Sequence, residues 1–484
     1  MRGSVRTGGG SKRRGTSVAS TGLIAVALVA SGCLGSGGDD TPADPTKNAD
    51  ATEFTLTITS NAIKGGKNSE GAEWIEDYVI PRFVEQQAEK GVTATIRFQP
   101  VGVDDAEYKS QLGLDLESGK GADIIDLDGI WVGEFAESNF IKPLDDVIGA
   151  DVVSAWDGWD QIPESVQQNA SYQDVRYGVP TGTDGRVIFF NRDVFAQAGL
   201  PDDWQPTSWE DILTAAQTIK DELPGDIVPL QLNAGTAMGE ATTMQGFLPL
   251  LAAAGAEIHQ DGRWQGDTAA VREVLELYET VYGTGLGDPV MQAEAKGRDR
   301  SFQLFTEGKV GMLLESDYFW RSVVAPGAEV APMADRDEVV GYAKIPAITP
   351  GSGVNGQDFV SLSGGSARVI NPNTEFPQQA WELMEFMNSF EATEEQVGAA
   401  PRITHRDDVN AEVLSGDPML TFIAEEVVPL TLFRPGLLEY LDVSVAIQEA
   451  TYAIIDGATV DEAIERYQSD LEAIVGDPDA IATG

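Results

Sequence analysis

The chain of 484 residues is long enough for two large lobes or about three smaller domains, which excludes a single small module. Hydrophobic residues make up 42% of it, so it can build large cores despite its charge. Acidic residues number 78 against 32 basic ones, and this net charge of −46 disfavours nucleic acid and anionic lipid as partners. One cysteine and two histidines exclude a disulfide framework, and we expect neither a metal site nor a cofactor.

The first 32 residues have the pattern of an export signal. Five basic residues and no acidic one precede the apolar run at 23–30, which is too short to span a bilayer. The run leads through a stretch of small residues to Cys33, the only cysteine, and resembles a prokaryotic lipobox. We therefore expect a lipoprotein signal peptide at 1–32 and a lipid on Cys33, with an ordinary secretory signal as the alternative. The export route, Sec or twin-arginine, stays open.

Residues 33–52 are predicted to form a flexible tether, since small and polar residues recur there without periodicity. Removal of residues 1–32 takes away five bases and no acids, so the net charge falls from −46 to −51. Because the acids are spread along the chain, we expect a hydrated halophilic surface, with an ordinary acidic secreted protein as the alternative. No segment after the signal has eighteen consecutive apolar residues.

Strand and helix patterns alternate along the rest of the chain. Period-two alternation and short apolar runs predict strands at 54–59, 95–98 and 123–127, with helical stripes between them. This β-α-β-α-β order predicts a mostly parallel sheet that binds ligands beyond the carboxyl ends of its strands. A second set begins with a buried strand at 187–190. The pairs Thr207/Glu210 and Thr459/Glu462 predict capping boxes at two helix starts.

Several blocks then follow in an informative order: YGVP at 177–180, FFNRDVF at 189–195, TSWE at 207–210, FTEGKVGM at 305–312 and AWELMEF at 380–386. Together they resemble the family 1 extracellular solute-binding proteins, the maltose-binding-like receptors of ATP-driven sugar importers, over about 54–475. The resemblance implies a two-lobed α/β fold of the periplasmic-binding-protein type. Each lobe would be a mixed, mostly parallel sheet flanked by helices, and a hinge would join the lobes.

The resemblance also implies lobe boundaries and a role. We expect an N-terminal lobe of 53–180 plus about 310–358, a C-terminal lobe of 181–309 plus about 359–484, and crossings near 178–186 and 357–360. The implied role is an extracytoplasmic receptor, held on the outer face of the cytoplasmic membrane by its lipid. As a monomer it would capture a solute and deliver it to the permease subunits of an ABC importer.

Candidate ligand-binding residues follow from family positions and from the chemistry of sugars, which need polar partners and aromatic platforms. Tyr318 matches the family's stacking aromatic, and Asp184 matches an acidic sugar ligand. Thr243 and Gln245 stand where the family has an acid and a tyrosine, and Ser444 replaces a late aromatic, which favours a small sugar. The other candidates are Asn61, Lys64, Asp128, Trp131, Phe319 and Trp320. For each candidate, packing in the core or at the surface is the alternative, and Trp74 is expected in the core.

The candidates are mostly acidic or neutral, so a neutral mono- or oligosaccharide is the favoured ligand. The chain lacks the G-x-S-x-G, H-E-x-x-H, Walker A and G-x-G-x-x-G motifs, and we expect no enzyme. Two alternatives stay open. One is a receptor for another solute such as a polyamine, glycerol phosphate or thiamine. The other is a lipid-anchored carbohydrate-active enzyme, which needs only two carboxylates.

Overall fold

The computed structural model describes residues 44–398 and 400–484. The expected signal peptide, Cys33 and the first part of the expected tether therefore lie outside the described residues. The last residues of the expected tether are attached to the folded body. Gln378 donates a hydrogen bond to the Pro45 carbonyl, and Gln379 donates to the carbonyls of Asn48 and Ala49. Within the described ranges no helix is both long and apolar enough to cross a membrane.

The strands are short, with lengths of two to eight residues. In chain order they are β1 (Glu53–Ser60), β2 (Thr93–Pro100), β3 (Ile124–Asp128), β4 (Ser171–Tyr172), β5 (Val175–Arg176), β6 (Gly178–Pro180), β7 (Arg186–Asn191), β8 (Val228–Gln231), β9 (His259–Gln260), β10 (Arg263–Gln265), β11 (Val310–Ser316), β12 (Val340–Ala343), β13 (Ile345–Pro346), β14 (Phe359–Ser363), β15 (Ser366–Ile370), β16 (Thr431–Phe433) and β17 (Ile481–Ala482).

The helices separate and flank these strands. They are α1 (Ser69–Glu73), α2 (Ile80–Glu89), α3 (Asp105–Glu117), α4 (Val132–Glu137), α5 (Leu144–Ile148), α6 (Ala150–Ser154), α7 (Glu164–Gln167), α8 (Arg192–Gln197), α9 (Trp209–Glu222), α10 (Glu240–Thr242), α11 (Leu248–Ala253), α12 (Ala269–Gly283), α13 (Pro289–Gln292), α14 (Gly297–Thr306), α15 (Arg336–Val339), α16 (Pro377–Met387), α17 (Phe390–Val397), α18 (Asp407–Val413), α19 (Pro418–Phe422), α20 (Tyr440–Ile455) and α21 (Val460–Val475). Four π-helical segments lie at Trp74–Val79, Thr243–Phe247, Phe319–Val323 and Ile423–Val427.

Two sheets define two lobes, as the fold prediction requires. The first sheet has the order β2-β1-β3-β15-β6; β1 runs parallel to β2 and β3, while β15 runs antiparallel to β3 and β6. The second sheet has the order β12-β7-β11-β8, with β8 parallel to β11 and the other pairs antiparallel. We call the lobe built on the first sheet the first lobe and the other the second lobe.

The chain crosses between the lobes at three places. It leaves β6 of the first sheet and enters β7 of the second through residues 181–185, and it returns through 364–365 between β14 and β15. It reaches the second lobe again at β16. This strand pairs in parallel with β14 in a small separate sheet of the order β13-β14-β16, and β14 packs on the core of the second lobe through Val360 and Leu362. The crossing expected near 178–186 matches the first of these, and the second lies a few residues after its expected position.

Strand pairing corrects the expected exchange of segments between lobes. The segment 310–358 was expected in the N-terminal lobe, yet β11 and β12 both pair with β7 of the second sheet. Conversely, β15 lies in the first sheet although 359–484 was expected in the other lobe. The reason is that a strand belongs to the sheet that satisfies its backbone groups, and this partner is distant in sequence.

Helix caps follow local sequence closely. Helix α21 starts with the predicted capping box, because Thr459 accepts from the Glu462 N–H while the Glu462 carboxylate accepts from the Thr459 N–H. Helix α9 differs by one residue from the prediction. Its N-cap is Ser208 and its acidic partner is Asp211, whose carboxylate accepts from both the N–H and the hydroxyl of Thr207. The burial of Trp209 fixes this start.

His405 is a buried histidine in the segment between α17 and α18, and only 2% of it is exposed. Burial lowers the pKa of His405 to about 3, and the positive charges of Arg368 and Arg406 act in the same direction. The ring is therefore neutral in the folded protein. In the unfolded chain it would take up a proton below pH 6.5.

We predict that acid destabilises the wild type more than His405→Gln. The unfolded state binds the extra proton between the unfolded and the folded pKa, so this contribution to stability is present above pH 6.5 and falls as the pH falls toward 3. From pH 7.5 to pH 5.0 the wild type should lose about 2 kcal/mol more than the variant in chemical unfolding. Parallel stability curves for the two proteins would contradict the assignment of a neutral buried ring.

Candidate functional site

A cleft of about 690 Å³ opens where the first and second crossings meet the ends of β1 and β3. Its walls come from the first lobe through α1 and Trp74, from both crossings, and from Arg321 of the second lobe. This is the edge at which the strand order predicts a ligand. Its lining residues are Ser60, Ala62, 68–71, Trp74, Ile75, Asp126, 181–184, Arg321, 364–366, Arg368, Gln396, Arg402 and Ile403.

Asp184 lies in the first crossing and lines the cleft, where the sequence predicts an acidic sugar ligand. Its Oδ1 accepts from the Gly364 N–H at 2.6 Å and the Ser363 hydroxyl at 3.2 Å, and it pairs with the Arg186 guanidinium. Its Oδ2 accepts no hydrogen bond from the part of the chain that the structure describes. Burial raises the pKa of Asp184, but Arg186 and the Gly364 N–H outweigh this effect and hold the pKa below its usual value. The carboxylate is thus ionised and has one oxygen to offer a ligand.

Gln245 serves the hinge, because its Oε1 accepts from the Arg186 Nε at 3.1 Å. The Arg186 Nη1 also donates to the Leu362 carbonyl at 3.1 Å, so this guanidinium is held on three sides. Only 6% of Gln245 is exposed. The structure therefore gives Gln245 a positioning contact to Arg186.

Asp317 is a buried carboxylate next to Asp184 that no motif in the sequence indicates. It is 1% exposed, and burial raises its pKa to about 6, with the neighbouring Asp184 acting in the same direction. Arg321 opposes this effect by donating from Nε to Asp317 at 2.9 Å. Arg321 is consequently anchored at one edge while the same side chain lines the cleft.

Trp74 lies at the wall of the cleft, although its place on a helical stripe predicts a core residue. It is 6% exposed, its indole N–H donates to the Ala392 carbonyl at 2.8 Å, and the Arg368 guanidinium lies 5.5 Å from its ring. Both descriptions hold, because one edge of the indole packs in the core while the residue borders the cavity. An aromatic at a cleft wall suits the apolar face of a sugar ring.

The three aromatics at 318–320 do not act together. Tyr318 is 37% exposed, and the guanidinium carbons of Arg298 and Arg321 both lie 5.8 Å from its ring. Phe319 is fully buried among Phe189, Phe302 and Phe305. Trp320 is 4% exposed, donates to Asp417 and stacks with Arg336 at 3.8 Å. Core packing thus removes Phe319 and Trp320 from the cleft. Tyr318 is exposed but is not one of the residues that line the cleft; it borders the cleft through Arg321, which does line it.

Three first-lobe candidates have structural partners. The Asn61 amide donates to the Val103 carbonyl and to Asp105, so it fixes the loop after β1. Lys64 pairs with Glu76 and Asp77 at the surface. Trp131 is 8% exposed and packs against Tyr108. Of these three side chains, none lines the cleft.

Asp128 and Thr243 belong to a polar bridge between the lobes. Arg434, which follows β16, lies 3.6 Å from Asp128 of the first lobe and 3.5 Å from Glu240 of the second. Burial raises the pKa of Asp128, and Arg434 opposes that rise. On the second-lobe side the Thr243 hydroxyl is 2.7 Å from Ser444, which pairs with Glu240. These residues therefore connect the lobes beside the cleft.

The sequence predicts acidic and neutral groups in the cleft, and the structure corrects this. Arg321, Arg368 and Arg402 line it together with the acids Glu70, Asp126 and Asp184. Asp126 pairs with Arg368 at 2.6 Å. Arg321 and Arg402 lie outside the sequence blocks that carry the family resemblance, so reasoning from those blocks misses them. The pattern Pro401-Arg402 after a helix end is too common to single out.

The comparisons with known proteins decide the family. The family model described as "Bacterial extracellular solute-binding protein" matches residues 66–394, which is more than half of the chain. The chain belongs to this family. A binding protein of Brucella abortus is 24% identical over 341 residues, covering 70% of this chain and 73% of the relative. An ABC transporter extracellular-binding protein of Pyrococcus horikoshii is also 24% identical over 341 residues, covering 67% and 71%.

Solved structures of this family have the same fold. A solute-binding protein of Thermotoga lettingae, solved with α-D-tagatose, is 25% identical with a TM-score of 0.63, covering 87% of this chain and 100% of that one. A sugar-binding protein of Xanthomonas citri is 17% identical with a TM-score of 0.67, covering 87% and 98%. The two-lobed α/β prediction is confirmed. The solute-binding protein is exported, as its family implies.

We predict that Tyr318→Ala weakens ligand binding by about 1 to 3 kcal/mol and leaves the melting temperature almost unchanged, since the lost surface is an exposed aromatic face. The matched control is Tyr452→Ala, which removes a tyrosine of similar exposure (41%) from α20, a helix that contributes no residue to the cleft lining. Calorimetric titration measures both variants. A loss of melting temperature with unchanged affinity per folded molecule would assign Tyr318 to the core instead.

Proposed function

We propose that this solute-binding protein captures a mono- or oligosaccharide outside the cytoplasm and delivers it to the permease of an ABC importer. The observation that carries the proposal is the cleft at the crossings, where Asp184 and Trp74 line the same cavity and Asp184 Oδ2 accepts no hydrogen bond from the described residues. A carboxylate that accepts hydroxyl protons beside an aromatic wall is the combination that sugar rings require. The structural neighbour from Thermotoga lettingae was solved with a sugar, α-D-tagatose, which supports this choice of ligand class.

In the proposed function, the protein binds its ligand and releases it chemically unchanged. Two acids that line the cleft are hydrogen-bonded to arginines: Asp126 to Arg368 and Asp184 to Arg186. Arg186 keeps the Asp184 carboxylate ionised, whereas glycoside hydrolysis needs one protonated carboxyl as general acid. The family and its structural neighbours are binding proteins. A single chain supplies the whole cleft, so we propose a monomer.

We also propose that a lipid on Cys33 anchors the mature protein to the outer face of the cytoplasmic membrane. The support is the sequence alone: the apolar run at 23–30 and the small residues before the sole cysteine. The short segment between Cys33 and the first hydrogen-bonded residues near Pro45 would then hold the body close to the membrane, where permease subunits are. The strongly acidic composition fits our halophilic interpretation of the surface.

The proposed function predicts a saccharide that raises the melting temperature of the mature protein, because a ligand that binds only the folded state stabilises it. A thermal-shift panel of sugars, polyols, sugar phosphates and polyamines measures this, and chromatography of the recovered ligand checks that it is unchanged. Asp184→Asn should lose most of the shift. Stabilisation by polyamines or phosphate esters alone, or recovery of a cleaved sugar, would refute the proposal.

The anchoring proposal predicts that Cys33→Ala leaves an uncleaved or released precursor, because the lipid forms a thioether with this thiol. Detergent phase separation of cell extracts measures the partition of the wild type and the variant. The wild type should enter the detergent phase and the variant the aqueous phase. Equal partition of the two proteins into detergent would show that the membrane association does not depend on Cys33.

A further inference from the structure

Two arginines from elements of different lobes line the same cleft. Arg321 lies in the π-helical segment after β11 of the second lobe. Arg402 lies in the segment that follows α17, a helix that packs against the first lobe at Trp74–Val79. Both line the 690 Å³ cleft, and both also line a neighbouring cavity of about 540 Å³. The two arginines and Glu70 are therefore shared by the linings of the cleft and of the neighbouring cavity.

Each of these guanidinium groups keeps hydrogen-bond donors to spare. Arg321 donates from Nε to Asp317 at 2.9 Å and from Nη1 to the Ser322 hydroxyl at 3.2 Å. Arg402 donates no hydrogen bond to any residue in the described ranges, and its closest acid, Glu70, is 3.7 Å away. A guanidinium has five N–H donors and stays charged, so Arg402 in particular has capacity for a further acceptor.

The surroundings of Arg402 favour an anion. Burial lowers its pKa, and the positive charge of Arg321 lowers it further, while Glu70 acts in the opposite direction. Glu70 is 65% exposed at its side chain and makes only the long contact to Arg402. The two positive charges disfavour each other, and each has one acid beside it, Asp317 at Arg321 and the more distant Glu70 at Arg402. An anion that binds to both arginines therefore stabilises them.

We propose that the cleft binds an acidic saccharide, a hexuronate or an oligosaccharide that contains one, and that Arg321 and Arg402 hold its carboxylate from the two lobes. This inference rests on the proposed saccharide function and names the ligand class of that site. The ring would pack toward Trp74, and Asp184 Oδ2 would accept its hydroxyl protons. The bidentate geometry of guanidinium matches a planar carboxylate.

A singly charged group fits the local charge better than a phosphate. Asp317 already pairs with Arg321 and Glu70 lies near Arg402, so the two arginines are partly neutralised before any ligand enters. A dianionic phosphate would add a second negative charge beside Asp317 and Asp184, which already disfavour each other. The net charge of −46 excludes a general attraction for anions, so any selectivity for an acidic sugar must come from these side chains.

Isothermal titration of the mature protein tests the proposal with D-galacturonate, D-glucuronate and digalacturonate against D-galactose, D-glucose and maltose. At least one uronate should bind about tenfold or more tighter than its neutral counterpart, since a hydrogen bond to a charged group contributes about 1.5 to 3 kcal/mol. Arg402→Gln should weaken the uronate about 10- to 100-fold and change a neutral sugar by less than about threefold. Arg402→Lys should recover part of the uronate affinity.

The matched control is Arg82→Gln, which removes an exposed arginine of α2 and should leave both affinities unchanged. Neutral sugars that bind as tightly as uronates would overturn the carboxylate assignment while the saccharide function stands. Tighter binding of glucose 6-phosphate than of any uronate would also overturn the carboxylate assignment, and binding of phosphate esters alone would refute the saccharide function as well. No binding of either sugar class would refute the saccharide function itself. If Arg402→Gln does not fold, the comparison of uronate with neutral sugar in the wild type still decides.

Discussion

The Oδ1 atom of Asp184 ties the first crossing to the second, and the remaining geometry of the site depends on this contact. It accepts from Gly364 and Ser363, while the Arg186 N–H donates to Ser361 at 2.9 Å a few residues further along. The two crossings are therefore one hydrogen-bonded unit whose conformation sets the relation of the lobes. Because the same carboxylate offers Oδ2 to the cleft, hinge position and ligand recognition share a residue.

The charge of the site differs from the charge of the chain. Exposed acids stay hydrated, and salt screens their mutual repulsion over about 10 Å at 0.1 M, so their number says little about a cleft. Inside the cleft each arginine is positioned by one or two particular acids, as Arg368 is by Asp126 and Arg321 by Asp317. A net charge of −46 is therefore compatible with a site that attracts a carboxylate.

Sequence reasoning predicted what depends on neighbours in the chain and failed where distant segments meet. The strand at 54–59 and the capping box at Thr459 follow from local patterns, and both are present. The lobe of β11 depends on its pairing with β7, more than a hundred residues earlier, which periodicity does not reveal. Likewise the positions of Asp184 and Tyr318 came from family spacing, whereas Arg402 enters the cleft through the packing of α17.

Contacts that span both lobes, unlike contacts made within one lobe, are the ones that couple ligand binding to closure. Trp74 belongs to one lobe, so its contact adds affinity without favouring either state, whereas Asp184 lies in the first crossing and links ligand recognition to the hinge. Arg321 and Arg402 belong to elements of different lobes and their positive charges disfavour each other, so an anion bound to both stabilises the arrangement in which they line one cleft. The bridge of Arg434 to Asp128 and Glu240 uses only protein groups and favours closure with any ligand. Discrimination between ligands therefore depends on these two arginines, because a negatively charged solute offsets their mutual repulsion and a neutral one does not.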